Sequence, residues 1–344
     1  MVSTTSPNPM KVIIDTDFGW MNDDCINLLY ALRLPQIKVL GVTPLAGNFD
    51  LAYATASALR ILELMERTDI PVCPGFDRPL LHERDEYADQ VWGQWAKDRP
   101  ADSLPEGPPT TSPDARHAVD FIGQTILENP GQITLIATGP MTNLAIAIRQ
   151  YPEIAKAVRQ VVAFGGAFPI LPRGVGNITP TAEFNFWVDP EAAHIVVRSQ
   201  IPLVLLPMNV GRRTKFKESY LERLLAQDTV IARLFRDFIS PRFEDPSLEE
   251  GKGARLAYSF FSQLVTSYVL RPDLYQATEL YVDVDTTPGL AYGASYGYER
   301  GKYASGVTRW PLDTGARPVT VVYDVDFEAT GEMVVEALTQ ADQG

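Results

Sequence analysis

Short apolar runs alternate with longer amphipathic stretches along this chain. Residues 11–17 (KVIIDTD) form a β-branched run that ends in acid, the pattern of a buried strand. Residues 23–34 carry apolar positions at helical spacing. A second strand is predicted over 39–46 (VLGVTPLA) and a helix rich in Ala and Leu over 51–66. A short strand at 70–73, a helix at 115–128 and a strand at 133–137 (ITLIA) come next. Helix 143–150, strand 161–164 (VVAF), helix 190–199 and strand 202–206 (PLVLL) follow. Such alternation predicts an α/β fold, a mostly parallel central sheet flanked by helices. In open sheets of this kind ligands lie beyond the carboxyl ends of the strands. Several strands here end in polar or Gly-rich turns.

Two stretches interrupt the pattern. Residues 77–113 are rich in charge, Pro and aromatics, among them Trp92 and Trp95, and read as a long loop or lid. Residues 212–255 hold helical patterns of mixed charge (LERLLAQ, IARLFRDFI), a helical insertion. No repeat, low-complexity tract or linker divides the chain. Residues 1–344 are therefore expected to form a single domain, with a flexible N-terminus over 1–10.

Composition narrows the partners. Of 344 residues, 30 are basic and 43 acidic, for a net charge of −13. That balance argues against nucleic acid and anionic membrane, and favours a small substrate or a cation. Cys25 and Cys73 are the only cysteines, too few for a disulfide framework or a zinc site. Residues 1–10 lack the charged start and apolar centre of a signal peptide. No apolar run reaches the roughly 20 residues of a membrane span. A cytoplasmic location is expected. With His82, His117 and His194 the only histidines, a mechanism built on several of them is excluded.

The densest chemistry lies at the end of the first strand. Asp15 and Asp17 stand two apart, on one face of a strand, and Asp23 and Asp24 open the next helix, whose N-terminal amides favour carboxylates. Like charges at about 4 Å repel by roughly 4 kcal/mol per pair at an effective dielectric near 20, so something must offset them. Oxygen ligands without His or Cys suit a hard cation, Ca²⁺ or Mg²⁺. Singly, the same acids could be structural, Asp23 a plain N-cap and Asp15 an anchor for the loop. The D-x-D after a first strand also occurs in haloacid-dehalogenase phosphatases, but the Ser/Thr, Lys and further acid pair they need are not found here. Metal-dependent glycosyltransferases carry D-x-D after a later strand.

Residues 15–24 resemble the N-terminal signature of the inosine-uridine-preferring nucleoside hydrolase family, D-T-D-x-G-x-D-D, here longer by two residues after Gly19 as in a divergent branch. The segment 42–48 (VTPLAGN) is similar to the family's turn after strand two. The segment 137–144 (ATGPMTNL) is similar to its A-T-G-P-L-T-N-L. The segments 164–167 (FGGA) and 176–185 (GNITPTAEFN) are similar to its G-G-A and G-N-x-T-P-x-A-E-F-N, and 189–193 (DPEAA) follows at the family spacing. The resemblance runs in order over residues 11–210, and 281–285 (YVDVD) extends it.

The resemblance implies the nucleoside hydrolase fold and hydrolysis of the N-glycosidic bond of a ribonucleoside by metal-activated water, through an oxocarbenium-like state. It implies one Ca²⁺ at the base of the pocket and a homo-oligomeric, small-molecule enzyme. By the same resemblance Asp17 is metal ligand and general base, Asp24 a metal ligand, and Thr138 a ligand through its backbone carbonyl. Asp23, Asn48, Asn177, Glu183 and Asn185 hold the ribose. Asp15 has a structural role behind them. The alternative for Asn177, Glu183 and Asn185 is turn and cap chemistry. His194 is expected to be structural, and Trp187 core or pocket wall.

One position departs from the family. Its last metal ligand is an Asp opening a late helix; here that stretch is 261–272 (FSQLVTSYVLRP), which puts Ser262 where the Asp belongs and Phe261 where some members carry a His that protonates the leaving base. A hydroxyl is a weak, neutral ligand, and calcium affinity follows ligand charge. Two readings follow. One is a working hydrolase with weakened metal binding, its base stacked on Tyr258, Phe260, Phe261 or the Trp92/Trp95 loop. The other is a repurposed member that acts on a different substrate or only binds a small ligand.

Overall fold

The computed structural model describes residues 8–81, 101–243, 259–299 and 317–341. Its strands are β1 (Met10–Thr16), β2 (Ile37–Pro44), β3 (Ile133–Ala137), β4 (Gln160–Phe164), β5 (Leu203–Leu206), β6 (Tyr275–Val284), β7 (Ser295–Tyr298) and β8 (Val319–Val325). They form one sheet in the order β2-β1-β3-β4-β5-β8-β6-β7. The first six in that order run parallel, and β6 and β7 close the far edge antiparallel. The main helices are α1 (Asp23–Leu32), α2 (Leu51–Leu64), α3 (Ala118–Glu128), α4 (Thr142–Gln150), α5 (Phe184–Val188), α6 (Pro190–Val197), α7 (Glu218–Leu225), α8 (Val230–Phe238), α9 (Phe261–Leu270) and α10 (Phe327–Leu338).

Period-two alternation in the strands builds two cores. Val12, Ile14, Ile136, Val162, Val204 and Leu206 face one side, where α1, α2, α7, α8, α9 and α10 pack. Ile13, Leu135, Val161, Ala163 and Leu205 face the other, against α3, α4 and α6. The central strands are buried on both faces, as expected of parallel strands under helices. No helix among the described residues is long and apolar enough to cross a membrane.

The strand order fixes where a ligand can sit. From β1 the chain moves outward to β2, then returns to lay β3 on the other side of β1. The carboxyl ends of β1 and β3 therefore flank the crevice at the topological switch point. Asp15 lies in register with Thr43 on one side and Ala137 on the other, so the loops after these strands meet there.

Several expected boundaries shift for local reasons. The strand expected at 70–73 is a single bridge between Val42 and Val72, because Pro71 has no N–H to extend a ladder. The helix expected from 115 starts at Ala118, where the His117 side chain accepts from Val119 N. The helix from 51 stops at Leu64, and Glu66 then adopts a left-handed φ of 55°. The insertion over 212–255 yields α7, α8 and a short turn at Ser240–Phe243; its remainder, 244–255, lies outside the described residues.

Half of the long loop can be followed. Residues 82–100 lie outside the described residues, but 101–113 are fastened to α2. Glu63 Oε1 accepts from the backbone N–H groups of Thr110 and Thr111, both at 2.6 Å, and from their hydroxyls at 3.0 and 2.8 Å. Arg60 Nε donates to Glu106 O, and Arg233 pairs with Glu106. Burial alone would raise the Glu63 carboxyl, but the Thr111, Arg60 and Thr110 donors pull it down to about 2. A depressed carboxyl contributes stability above its ordinary value of 4.5, and that contribution is lost as pH falls from there towards 2. Glu63→Ala strands five donors, four from Thr110 and Thr111 and one from Arg60, at a cost of about 1–3 kcal/mol. We expect it to lower Tm at neutral pH and to weaken the acid dependence of Tm below pH 4.5, measured by thermal denaturation across pH.

Candidate active site

β1 ends at Thr16, so Asp17 leaves the sheet and turns into the crevice. Asp17 Oδ2 accepts from Asn48 N at 2.6 Å. Two glycines make room for it. A Cβ on Gly47 would lie 2.2 Å from Asp17 Oδ2, and one on Gly139 would lie 2.7 Å from Asp17 N. Asp17 is fully buried, and its Oδ1 has no hydrogen-bond partner. Asp15 stays in the sheet. Its Oδ1 accepts from Thr43 Oγ1 at 2.6 Å and Asn143 Nδ2 at 2.8 Å, and burial pushes it up to about 7. It acts as a tie between β1, β2 and α4 rather than as part of the acid group beyond the strand end.

The loop between β1 and α1 turns through Met21 at φ 51°, and Asn22 rather than Asp23 caps the helix. Asn22 Oδ1 accepts from Cys25 N at 3.0 Å, while its Nδ2 donates to Asp24 Oδ2 at 2.9 Å. Asp23 and Asp24 occupy the first turn, and α9 approaches them from the far end of the chain. Ser262 Oγ lies 2.8 Å from Asp23 Oδ2 and 2.9 Å from Asp24 Oδ1.

Three carboxylates thus share one site, Asp17 and Asp24 buried and Asp23 half-buried. Burial, then Asp24, then Asp23 hold Asp17 well above the usual carboxylate range. Burial and the Asp24 charge push Asp23 up to about 7. Burial raises Asp24 as well, and hydrogen bonds from Thr138, Ser262, Thr16 and Asn22 pull the other way.

The opposite wall comes from the turns after β3 and β4. Thr138 N continues the ladder to Asp15 O at 2.9 Å, and Thr138 Oγ1 donates to Thr16 Oγ1 at 2.9 Å. The Thr138 carbonyl accepts from Asn185 Nδ2 at 3.0 Å, and the second amide proton goes to Phe164 O at 3.0 Å. Glu183 caps α5: Oε1 accepts from Asn185 N, and Oε2 from Gly166 N and Phe186 N, at 2.9 to 3.2 Å. Burial pushes it up to about 7. Asn177 Oδ1 accepts from Phe184 N at 2.9 Å. Turn and cap chemistry is therefore present in Asn177 and Glu183, whereas the Asn185 side chain bonds across the fold. A network nonetheless links Glu183 and Asn185 to the acids, through Thr138 to Asp24, Ser262 and Asp23. Asp23, Asn48 and Asn177 are half-buried.

Other candidates fall elsewhere. Phe260 is buried among Phe216 and Tyr220 beside α7. Phe261 packs on Phe164, ring centroids 5.4 Å apart, and fills the space over Gly211. Trp187 lies half-buried against Phe184 and Val188. His194 Nδ1 is 2.9 Å from Asp283 Oδ1 on a remote surface. His82, Trp92, Trp95 and Tyr258 lie outside the described residues. An open groove of about 820 Å³ lined by Asp50, Leu51, Thr55 and Pro113 is not lined by Asp17, Asp23 or Asp24. Thr16, Asn22 and Asn143 were not singled out from the sequence; an Asn directly before an acid pair at a helix start was the available signal.

The acids line a crevice at the switch point of the sheet, where open α/β folds bind their ligands. The model of the family described as inosine-uridine preferring nucleoside hydrolase matches residues 12–332. The chain is 35% identical over 330 residues to an uncharacterized protein of Schizosaccharomyces pombe, covering 96% of this chain and 99% of that one. It is 34% identical over 336 residues to a pyrimidine-specific ribonucleoside hydrolase of Salmonella paratyphi A, covering 96% and 98%. Among solved structures it is similar to a plant nucleoside hydrolase, at TM-score 0.81 and 31% identity over 96% of this chain and 99% of the other. The fold is shared with a purine-preferring ribonucleoside hydrolase of Gardnerella vaginalis, at TM-score 0.80 and 23% identity over 96% and 98%. The chain belongs to the inosine-uridine preferring nucleoside hydrolase family.

The closeness of Gly47 to Asp17 gives a direct check. Gly47→Ala forces its methyl into the Asp17 carboxylate. A displacement near 1 Å costs about 10²-fold in rate. Nucleoside hydrolysis is expected to fall by that order while the far-UV circular dichroism of the variant matches the parent.

Proposed function

We propose that the protein hydrolyses the N-glycosidic bond of a ribonucleoside or related N-riboside, with Asp17 as general base beside a calcium ion. The observation that carries this reading is Asp17 itself, fully buried, with one carboxylate oxygen unpartnered and two further carboxylates beside it. A buried carboxylate held this way costs stability unless a cation or a substrate group meets it.

The donor chemistry suits a hard cation. Asp17, Asp24, the Thr138 carbonyl and the Ser262 hydroxyl offer oxygen only, the ligand type of calcium. No cluster of three or more His, Cys, Asp or Glu side chains suited to a metal occurs among the described residues; this set is two carboxylates and two neutral oxygens. When bound, such an ion supplies charge that offsets the carboxylates and acidifies a water.

The remaining steps belong to the chain's own groups. Asp17 Oδ1 takes the proton of the attacking water, since Oδ2 is held by Asn48 N. Asp23, Asn48 and Asn177 meet the sugar at the half-buried side of the crevice. Asn185 spends its amide protons on Thr138 O and Phe164 O, which leaves Oδ1 to accept a ribose hydroxyl. Glu183 accepts one bond on Oε1 and two on Oε2, so Oε1 keeps a lone pair for a hydroxyl. Fixing the hydroxyls converts sugar binding into orientation. The surrounding carboxylates stabilise positive charge that develops on the sugar as the C–N bond breaks. Ser262 is the feature that favours a repurposed pocket, and the linked set of Asp17, Asp23, Asp24, Asn185 and Glu183 outweighs it.

The test is release of free base and ribose from a panel of purine and pyrimidine ribonucleosides with calcium present. Activity is expected on at least one of them, with a loss of about 10²–10⁴-fold in Asp17→Ala and a fall on addition of chelator. Absence of release from every nucleoside, or equal release by Asp17→Ala, overturns the reading.

A further inference from the structure

The two helices that meet over the acids are joined by a polar seam. Ser262 reaches Asp23 and Asp24, and Gln263 Nε2 donates to Asp23 O at 2.6 Å. One turn on, Thr266 Oγ1 donates to Asn27 Oδ1 at 2.7 Å. Ser267 Oγ and Tyr30 OH are 3.2 Å apart further along. All four α9 side chains are buried. They sit at spacings of one, three and one, so they form a single stripe on α9 that faces α1. Ser262 is the rung of this ladder that stands in the acid pocket.

A carboxylate at position 262 would add a fourth negative group next to Asp17, Asp23 and Asp24, and a cation would then be needed to hold the helices together. A hydroxyl does the opposite. It lies within bonding distance of both acids, donates its single proton to one of them at a time, and brings no charge. We propose that Ser262 is a positioning residue that straps Asp23 to Asp24 in the cation-free protein, so that the pocket stands preformed and calcium is held loosely and exchangeably. The calcium half of this inference rests on the preceding reading of the site; the strap does not.

The experiment compares the full-length protein with Ser262→Ala, Ser262→Thr and Ser262→Asp. Each is melted in chelator and in calcium, and calcium is titrated by calorimetry. In chelator, Ser262→Ala is expected to melt about 2–4 °C below the parent. Ser262→Thr, which keeps the hydroxyl, recovers most of that loss. Ser262→Asp melts below the parent in chelator, yet gains more on addition of calcium and binds calcium at least ten-fold more tightly, as ligand charge requires. The strap itself is read from the loss in Ser262→Ala and its recovery in Ser262→Thr in chelator, because Ser262→Asp reports the added charge. Coincident melting of the parent and Ser262→Ala in chelator overturns the strap. Equal calcium affinity of the parent and Ser262→Asp overturns the loose cation. Failure of both to bind calcium overturns the cation reading of the site and leaves the strap to be decided by the chelator melts.

Discussion

Negative charge withdrawn from water is the constraint around which this protein is arranged. Among the described residues no Lys, Arg or His pairs with Asp17, Asp23 or Asp24. The pocket is instead held by neutral donors, each delivered by a different element. Asn48 N arrives from the turn after β2, Asn22 from the loop before α1, Thr138 from the end of β3 and Ser262 from α9. A site stabilised this way is sensitive to backbone placement at four points in the chain. That is why glycines, and not larger residues, stand where Asp17 needs space.

The sheet supplies the rigidity that this demands. β1 and β3 lie at its centre with apolar cover on both faces, and they present their carboxyl ends to the same crevice. Asp15 shows how the two levels connect. It is buried in the sheet but bonded sideways to Thr43 and to Asn143. Asn143 in turn accepts from Phe76 N. One carboxylate thereby ties the floor of the pocket to the loops that rise around it.

Much of this was legible in the amino-acid order, and the illegible parts have physical causes. The strands from β1 to β5 are β-branched runs under two layers of helices, so their apolar signal is continuous. β6 is not. Its exposed and buried positions mix as YQATELYVDV against β8 on one side and β7 on the other, and neither periodicity dominates. The short run at 70–73 carries strand-forming residues, but Pro71 limits it to one bridge. In the site, the acids stood out by their clustering, and the Asn and Glu residues only by resemblance to the family's motifs. Their hydrogen-bond duties were not, because Glu183 and Asn177 brace the very turns that place them. The capping role of Asn22 was hidden by the more conspicuous acids beside it.

The position of β8 bears on how the molecule comes into being. This strand is the last in the chain, yet it lies between β5 and β6. The β6–β7 hairpin therefore has no place on the sheet until residues 319–325 have been synthesised. α10 follows β8 and packs against the same core that receives α9. Ser262 meets acids that lie 238 and 239 positions earlier in sequence. On the ribosome, the aminoterminal half can assemble its parallel core while the far edge and the roof of the crevice are still missing. The pocket thus waits on a helix far along the chain from its acids, and a nascent chain released before residue 262 carries the acids without the helix that arranges them.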